Sequence, residues 1–264
     1  MSCSPEPTSA QTRGTDHLAA ELLDAARSAQ PIQPLRTRFP TLTIEDAYEI
    51  QKAIREARIK DGEAVVGQKI GLTSVAMQRQ LGIRQPDFGF ITDRMLMQSP
   101  AVLSRQQLIN PMIEAEIAFF FDEALPADIS ASEVMSRCSA IAPALEVIDS
   151  RIAEWDIGIV DTIADNASCG AVALGDPCEP PERLESCEMT LRVADVSATG
   201  SGSAVLGHPV RPIAWLVRTL AALGEQVGPG IVISGAWTRA LPIDAGSGAD
   251  AVFENVGAVS LEVR

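Results

Sequence analysis

Histidine is almost missing from this sequence: His17 and His208 are the two present among 264 residues. His17 lies near a polar tail, so a Ser-His-Asp triad or a His-rich metal site has little to be built from. Cysteine is sparse as well. The five residues Cys3, Cys138, Cys169, Cys178 and Cys187 are odd in number and include no C-x-x-C pair, so they read as reduced thiols rather than zinc ligands. Long apolar runs are lacking; a stretch such as 117–121 falls far short of the ~20 residues that cross a bilayer. No charged-then-apolar signal segment opens the chain, so no membrane partner is expected and the cytoplasm is the expected compartment. Positive charge is in deficit, with 21 Lys and Arg against 35 Asp and Glu, a net charge of −14. That field repels a phosphate backbone, so nucleic acid is not an expected partner. Gly200-x-Gly202 followed by Gly207 lacks dinucleotide-fingerprint spacing and no phosphate-binding P-loop occurs, so nucleotide cofactors are not indicated. Asn166-Ala167-Ser168 has the spacing of a glycosylation acceptor, set aside because no secretion is expected. Chemistry here must rest mainly on carboxylates and lysine.

The apolar share of 46% and the charged share of 21% are those of a folded globular enzyme. Residues 1–16 are small, polar and Pro-containing, and predict a flexible tail. Leu18, Leu22, Leu23 and Ala26 then recur at helical spacing, with Asp16 as candidate N-cap. After a Pro-rich connection, Thr43-x-x-Asp46 reads as a capping box opening a helix that Gly62 ends. Downstream the pattern changes to short β-rich runs, among them VVGQKIGL, IEAEIAFFF, ALEVID, GAVALG and VSLEV, separated by Gly, Pro, Asp and Ser. Helices are predicted over 131–138 and 209–223, with a further candidate over 75–80. No internal repeat and no long linker divides the chain. The expectation is one α+β domain over 17–264, helical over about 17–62 and a curved sheet, roll or barrel from about 63 onward.

In Ile113-Glu114-Ala115-Glu116-Ile117, strand alternation sends Glu114 and Glu116 to one face, their Cα atoms ~6.5–7 Å apart. Glu146 sits inside the apolar run ALEVI, where a lone charge needs a counter-charge. Three converging carboxylates repel by about 4 kcal/mol per pair at ~4 Å and an effective dielectric near 20, and a divalent ion relieves that. An all-oxygen ligand set selects a hard ion, Mg²⁺ or Mn²⁺. The plain alternative for Glu114 and Glu116 is a solvated strand face. Lys69, in GQKIGLTS, is a candidate acid or base for a bound enolate once burial lowers its pKa; its plain alternative is an exposed edge-strand lysine. Asp87 in QPDFG reads, alone, as turn chemistry, and 161–170 as a polar loop suited to lining a pocket.

Taken together, GQKIGLTS, QPDFG, IEAEIAF, ALEVIDSRI and DTIADNASCG, in this order and spacing, resemble the 2-hydroxypenta-2,4-dienoate hydratases, also called 2-keto-4-pentenoate hydratases, of the fumarylacetoacetate hydrolase superfamily. The likeness runs from about Thr43 to the C-terminus. It implies a mixed β-roll with flanking helices, Mg²⁺ or Mn²⁺ on Glu114, Glu116 and Glu146, an acid/base lysine at Lys69 and an active-site aspartate at Asp87. Ser74 and Ser168 match positions close to the substrate. The implied activity is a hydro-lyase that adds water to 2-hydroxypenta-2,4-dienoate, or a close alkyl homologue, in meta-cleavage catabolism of aromatic compounds. A homo-oligomer and docking to a pathway decarboxylase or aldolase are implied too. The competing relatives are the 2-oxo-3-hexenedioate (4-oxalocrotonate) decarboxylases, which tend to place an apolar residue at the position of Asp87. A reading of another class is a non-catalytic structural partner in a catabolic complex. The stretch WTRALPIDAGSGADAVFENVG departs from the commoner hydratase ending and leaves substrate tail length open.

Overall fold

A computed structural model describes residues 9–74, 78–79, 83 and 85–264, and shows an α+β architecture. Helix α1 spans Ser9–Ser28, α2 Leu35–Arg38 and α3 Ile44–Lys60. The α1 start corrects the expected tail over 1–16: the buried register Thr15, Leu18, Leu22, Ala25 reaches a turn before His17, so Asp16 lies inside the helix rather than capping it. Thr43 and Asp46 form the expected reciprocal capping box on α3, and Gly62 follows with φ +87°. The candidate helix over 75–80 falls largely outside the described residues, as does Cys3.

Strands β1 (Val65–Gly71), β2 (Asp87–Thr92), β3 (Leu96–Gln98), β5 (Met112–Phe121), β6 (Ala140–Ile148), β7 (Cys169–Leu174) and β10 (Gly230–Ile233) form an eight-stranded sheet with β11 (Leu241–Pro242), which pairs with β5. The order is β2-β1-β10-β5-β6-β7-β3. A second sheet runs β4 (Ala101–Leu103), β13 (Gly257–Val263), β12 (Gly248–Phe253), β8 (Glu188–Val193), β9 (Val196–Ser201). Helices α4 (Ala131–Arg137), α5 (Ile159–Ala164) and α6 (Val210–Ala222) complete the chain.

Two sequence expectations are corrected here. QPDFG is not merely a turn: Asp87 opens β2, paired in register with Gly71 of β1, and every β2 residue is buried. The 161–170 run is not a loop throughout, because Asp161–Ala164 are helical, with the Asp161 carboxylate accepting from the Gly158 N–H at 2.8 Å to cap α5.

The main core lies between the sheets, where Ile117, Phe119 and Leu145 meet Leu191, Phe253 and Leu261. A second core packs Leu22, Leu35, Ile50 and Ile54 of the N-terminal helices against Phe90 and Ile163. The outer face of β5 and β6 is thus roofed by protein as well, and that buried polar face carries the site.

Candidate metal and substrate site

β5 and β6 are antiparallel with Glu114 directly opposite Glu146 and Glu116 opposite Ala144. Cross-strand partners on one face stand about 4.5–5.5 Å apart at Cβ, so this register brings the three carboxylates together. One oxygen from each of Glu114, Glu116 and Glu146 lies within 4.8 Å of the other two. The sequence-predicted ligands therefore converge, and the solvated-face alternative is ruled out: Glu114 is half-buried, Glu116 is 1% exposed and Glu146 0%.

Burial, and then the neighbouring carboxylate Glu146, raises the pKa of Glu114 to about 7 and that of Glu116 well above the ordinary range. Glu116 accepts a hydrogen bond of 2.8 Å from the Gly235 N–H, at a residue with φ +101° whose added Cβ would lie 2.1 Å from the Thr73 hydroxyl. Only glycine fits that close approach. Both oxygens of Glu146 are buried and accept no hydrogen bond; the nearest charge is Lys69 Nζ at 3.1 Å, an ion-pair contact without hydrogen-bond alignment. A buried carboxylate left so bare is expensive unless a ligand completes it.

Those facts fit a divalent ion. Opposite ligands on an ion with bonds of 2.0–2.1 Å stand about 4.2 Å apart, so oxygens within 4.8 Å need only small shifts to share one. The set holds neither thiolate nor imidazole, as a hard cation prefers.

Lys69, on β1, is 3% exposed and donates to the Ala167 carbonyl at 2.9 Å. Burial alone would lower its pKa, yet Glu146 and Asp87 outweigh burial and raise it, which corrects the expectation of a lowered value. Asp87 is 1% exposed and held above its usual range, chiefly by burial. Thr162 donates to Asp87 Oδ2 at 3.2 Å, while Oδ1 has no partner. A Cβ on Gly71 would lie 2.2 Å from that Oδ1, so the aspartate occupies space only a glycine leaves.

Ser168 follows Asn166 and Ala167 in three consecutive left-handed residues, φ 53°, 49° and 57°. Its buried hydroxyl has no partner. Asn166 is buried and exchanges hydrogen bonds with the Phe90 backbone, so it is no glycosylation acceptor in the folded chain. Lys69, Asp87, Glu114, Ser74 and Ser168 all line one cavity of about 210 Å³, with Glu116 and Glu146 beneath it.

Sequence reasoning missed Thr162, which the helical spacing after Gly158 would have turned inward, and the buried Arg151–Asp165 pair that braces the 166–168 turn. Arg151 also donates to the Asp149 and Cys169 carbonyls, at 2.7 and 3.2 Å. Its place in ALEVIDSRI gave no sign of this, because an arginine after a strand reads as solvated. Arg239, also on the cavity, was overlooked too.

No family model matches the chain. A 2-hydroxyhexa-2,4-dienoate hydratase of Comamonas testosteroni is 38% identical over 248 residues, 91% of this chain and 94% of that protein. A 2-keto-4-pentenoate hydratase of Paraburkholderia xenovorans strain LB400 is 38% identical over 252 residues, 94% of each. Among solved structures, the 4-oxalocrotonate decarboxylase from Pseudomonas putida G7, complexed with magnesium and adipate, superposes with a TM-score of 0.92 at 29% identity, over 99% of this chain and 100% of that one. A fumarylpyruvate hydrolase from Pseudomonas aeruginosa, in complex with Mn²⁺ and pyruvate, shares the fold at 14% identity with a TM-score of 0.59, over 74% of this chain and 88% of that one.

Proposed function

Because this chain belongs to the 2-keto-4-pentenoate hydratase family, we propose that it hydrates 2-hydroxypenta-2,4-dienoate, or a close homologue, to the 4-hydroxy-2-oxo acid. The observation that carries this is the bare, buried Glu146 beside Glu114 and Glu116, opening into a cavity that also holds Lys69 and Asp87. In this reading the three glutamates hold Mg²⁺ or Mn²⁺. When bound, the ion supplies Lewis acidity toward the substrate carboxylate and 2-oxygen, stabilising enolate charge.

The remaining steps belong to side chains. Ketonisation moves the proton of the 2-hydroxyl to C5 and leaves a C3–C4 double bond conjugated to the new ketone. Water then adds, oxygen to C4 and proton to C3. An ammonium has three N–H donors. Lys69 commits one to Ala167 and faces Glu146 with another, which leaves one for the substrate. Lys69 thus delivers or receives the migrating proton and balances anionic charge. Asp87, kept above the usual carboxylate range with one oxygen unpartnered, orients the water and exchanges its proton. The bare Ser168 hydroxyl and Ser74, both on the cavity, contact the substrate.

The decarboxylase reading draws support from the Pseudomonas putida G7 likeness, but Asp87 favours hydration, since a general acid/base beside water is what hydration requires. With Mg²⁺, the purified chain is expected to bleach the dienol absorbance of 2-hydroxypentadienoate and form a 4-hydroxy-2-oxo acid. Release of CO₂ from 2-oxo-3-hexenedioate without hydration overturns the assignment. A scaffold without catalysis would bind neither Mg²⁺ nor Mn²⁺ at these glutamates, which metal titration reads directly. Self-association, and docking to a pathway decarboxylase or aldolase, belong to the same reading and are tested by sedimentation of the chain alone and mixed with such partners.

A further inference from the structure

The segment after β10 runs antiparallel along β5, but it does not stay in step. The Ser234 N–H donates to the Ile117 carbonyl at 3.2 Å, and the Trp237 N–H donates to Ala115 at 3.0 Å. Leu241 then pairs with Ile113. From Trp237 to Leu241 the segment advances four residues while β5 advances two, so Thr238, Arg239 and Ala240 arch out as a bulge beside Glu114. Its start is pinned: Trp237 is 1% exposed, and a Cβ on Gly200 would lie 2.0 Å from the Trp237 carbonyl.

The cavity has a polarity along β5 and β6. Glu116 and Glu146 lie at its floor; Glu114 is half-buried; Met112 and Ile148, next outward on the same two strands, line the wall with Trp155 and Ile157. Arg239 lines the same cavity and is exposed, at the solvent end of that gradient. Lys69 and Arg239 are the cations among the described residues of the lining. Lys69 is engaged with Glu146 and Ala167, whereas Arg239 forms no hydrogen bond or ion pair with any described residue. In a chain with 35 acidic residues against 21 basic ones, a guanidinium free at the mouth of a pocket is placed for an anion from outside.

We propose that Arg239 is a carboxylate-binding subsite for the far end of the substrate, so that the preferred substrate is a 2-hydroxydienoate carrying a second, terminal carboxylate. The inference rests on the hydratase reading, because it takes the first carboxylate to be held at the glutamate end. The substrate's hydrocarbon would then cross the apolar wall and its tail would meet the guanidinium fork, which matches a carboxylate's two oxygens. The arched backbone sets the arginine at the rim, so the subsite adds affinity without touching the reacting carbons.

The test compares equal chain lengths with and without the terminal charge. For the Mg²⁺-loaded full chain, calorimetry is expected to show 2-oxoheptanedioate bound about tenfold to a hundredfold more tightly than 2-oxoheptanoate. The ratio of kcat/KM for 2-hydroxyhepta-2,4-dienedioate over 2-hydroxyhepta-2,4-dienoate is expected to favour the dioate similarly, through KM. R239M is expected to bring both ratios near one, with R239K intermediate and the melting temperatures of both variants unchanged. Equal binding of the two oxo acids by the unaltered chain, or ratios that R239M leaves in place, overturns the proposal. If neither dienoate is hydrated, the hydratase reading fails while the calorimetric comparison still decides the subsite.

Discussion

Strands β12 and β5 belong to one molecule and obey one pleat, yet they dispose of their polar faces in opposite ways. On β12, Ala249, Ala251 and Phe253 enter the core while Asp250 and its neighbours on the other face meet water. On β5, Ile113, Ala115, Ile117 and Phe119 enter the same core, but the opposite face, with Glu114, Glu116 and Ala118, is covered by protein too. A carboxylate on β12 is solvated for nothing. One on β5 gives up its hydration, and what compensates must be a ligand, because Gly235 supplies Glu116 with one hydrogen bond and Glu146 has none. A strand whose polar side is roofed over is thus a stronger mark of function than the E-x-E spacing itself.

The sharpest way to break this comparison is to neutralise one carboxylate on each strand. Glu116→Gln is expected to lower Mg²⁺-dependent turnover by about a thousandfold or more, since the ion's share of transition-state stabilisation is several kcal/mol. Asp250→Asn is expected to leave turnover alone and move stability by no more than about 0.5 kcal/mol. Steady-state rates and denaturant melts on both variants check it. The shared inner face should, by contrast, treat the strands alike. Phe119→Ala and Phe253→Ala are each expected to cost about 3–5 kcal/mol in chemical unfolding, as both rings are buried in the one core. A large inequality between them would show that the sheets do not unfold as one unit.

Asp87→Asn comes next. It keeps the shape that fits over Gly71 and the contact with Thr162. Hydration is expected to fall about a hundredfold while Mg²⁺ affinity holds, read by product formation and by calorimetry. A parallel loss of metal affinity would move Asp87 from proton transfer to ligand support.

These residues also mark what the sequence could and could not tell. The convergence of Glu114 and Glu116 was legible because strand alternation is a local rule, and Glu146 because a charge within an apolar run asks for a partner. Lys69 as that partner was not legible: β1 and β6 are not adjacent in the sheet, and local patterning says nothing of which side chains meet over a roofed face. The same limit explains Asp87, whose turn-like neighbours hide that β2 pairs with β1 from its first residue. It explains the direction of the Lys69 shift as well, since burial was foreseeable but the carboxylates offsetting it were not. Helix α5 was hidden for another reason. It is six residues long, too short for a periodic pattern, and its cap is a glycine with the carboxylate three residues on.

The smallest expected effect concerns the ion-free protein and pH. Folding lifts Glu114 from its ordinary 4.5 to about 7 and Glu116 upward too, through burial first and mutual repulsion next. Between these values the native chain holds protons that the unfolded chain has released, so stability falls as pH rises through the window. Asp165, raised to about 6 by burial, adds to the same slope. His208, lowered by burial, opposes it below about its ordinary 6.5, because there the unfolded imidazole binds the extra proton. The glutamates' share is isolated by adding Mg²⁺, which binds only the ionised carboxylates and so stabilises the protein more at pH 8 than at pH 5. Thermal melts with chelator are expected to drop by a few degrees from pH 5 to pH 8, and the drop is expected to vanish or reverse with Mg²⁺. If the Mg²⁺-induced rise in Tm were as large at pH 5 as at pH 8, the face of β5 would be no more proton-hungry than that of β12, and the contrast drawn between the strands would fail.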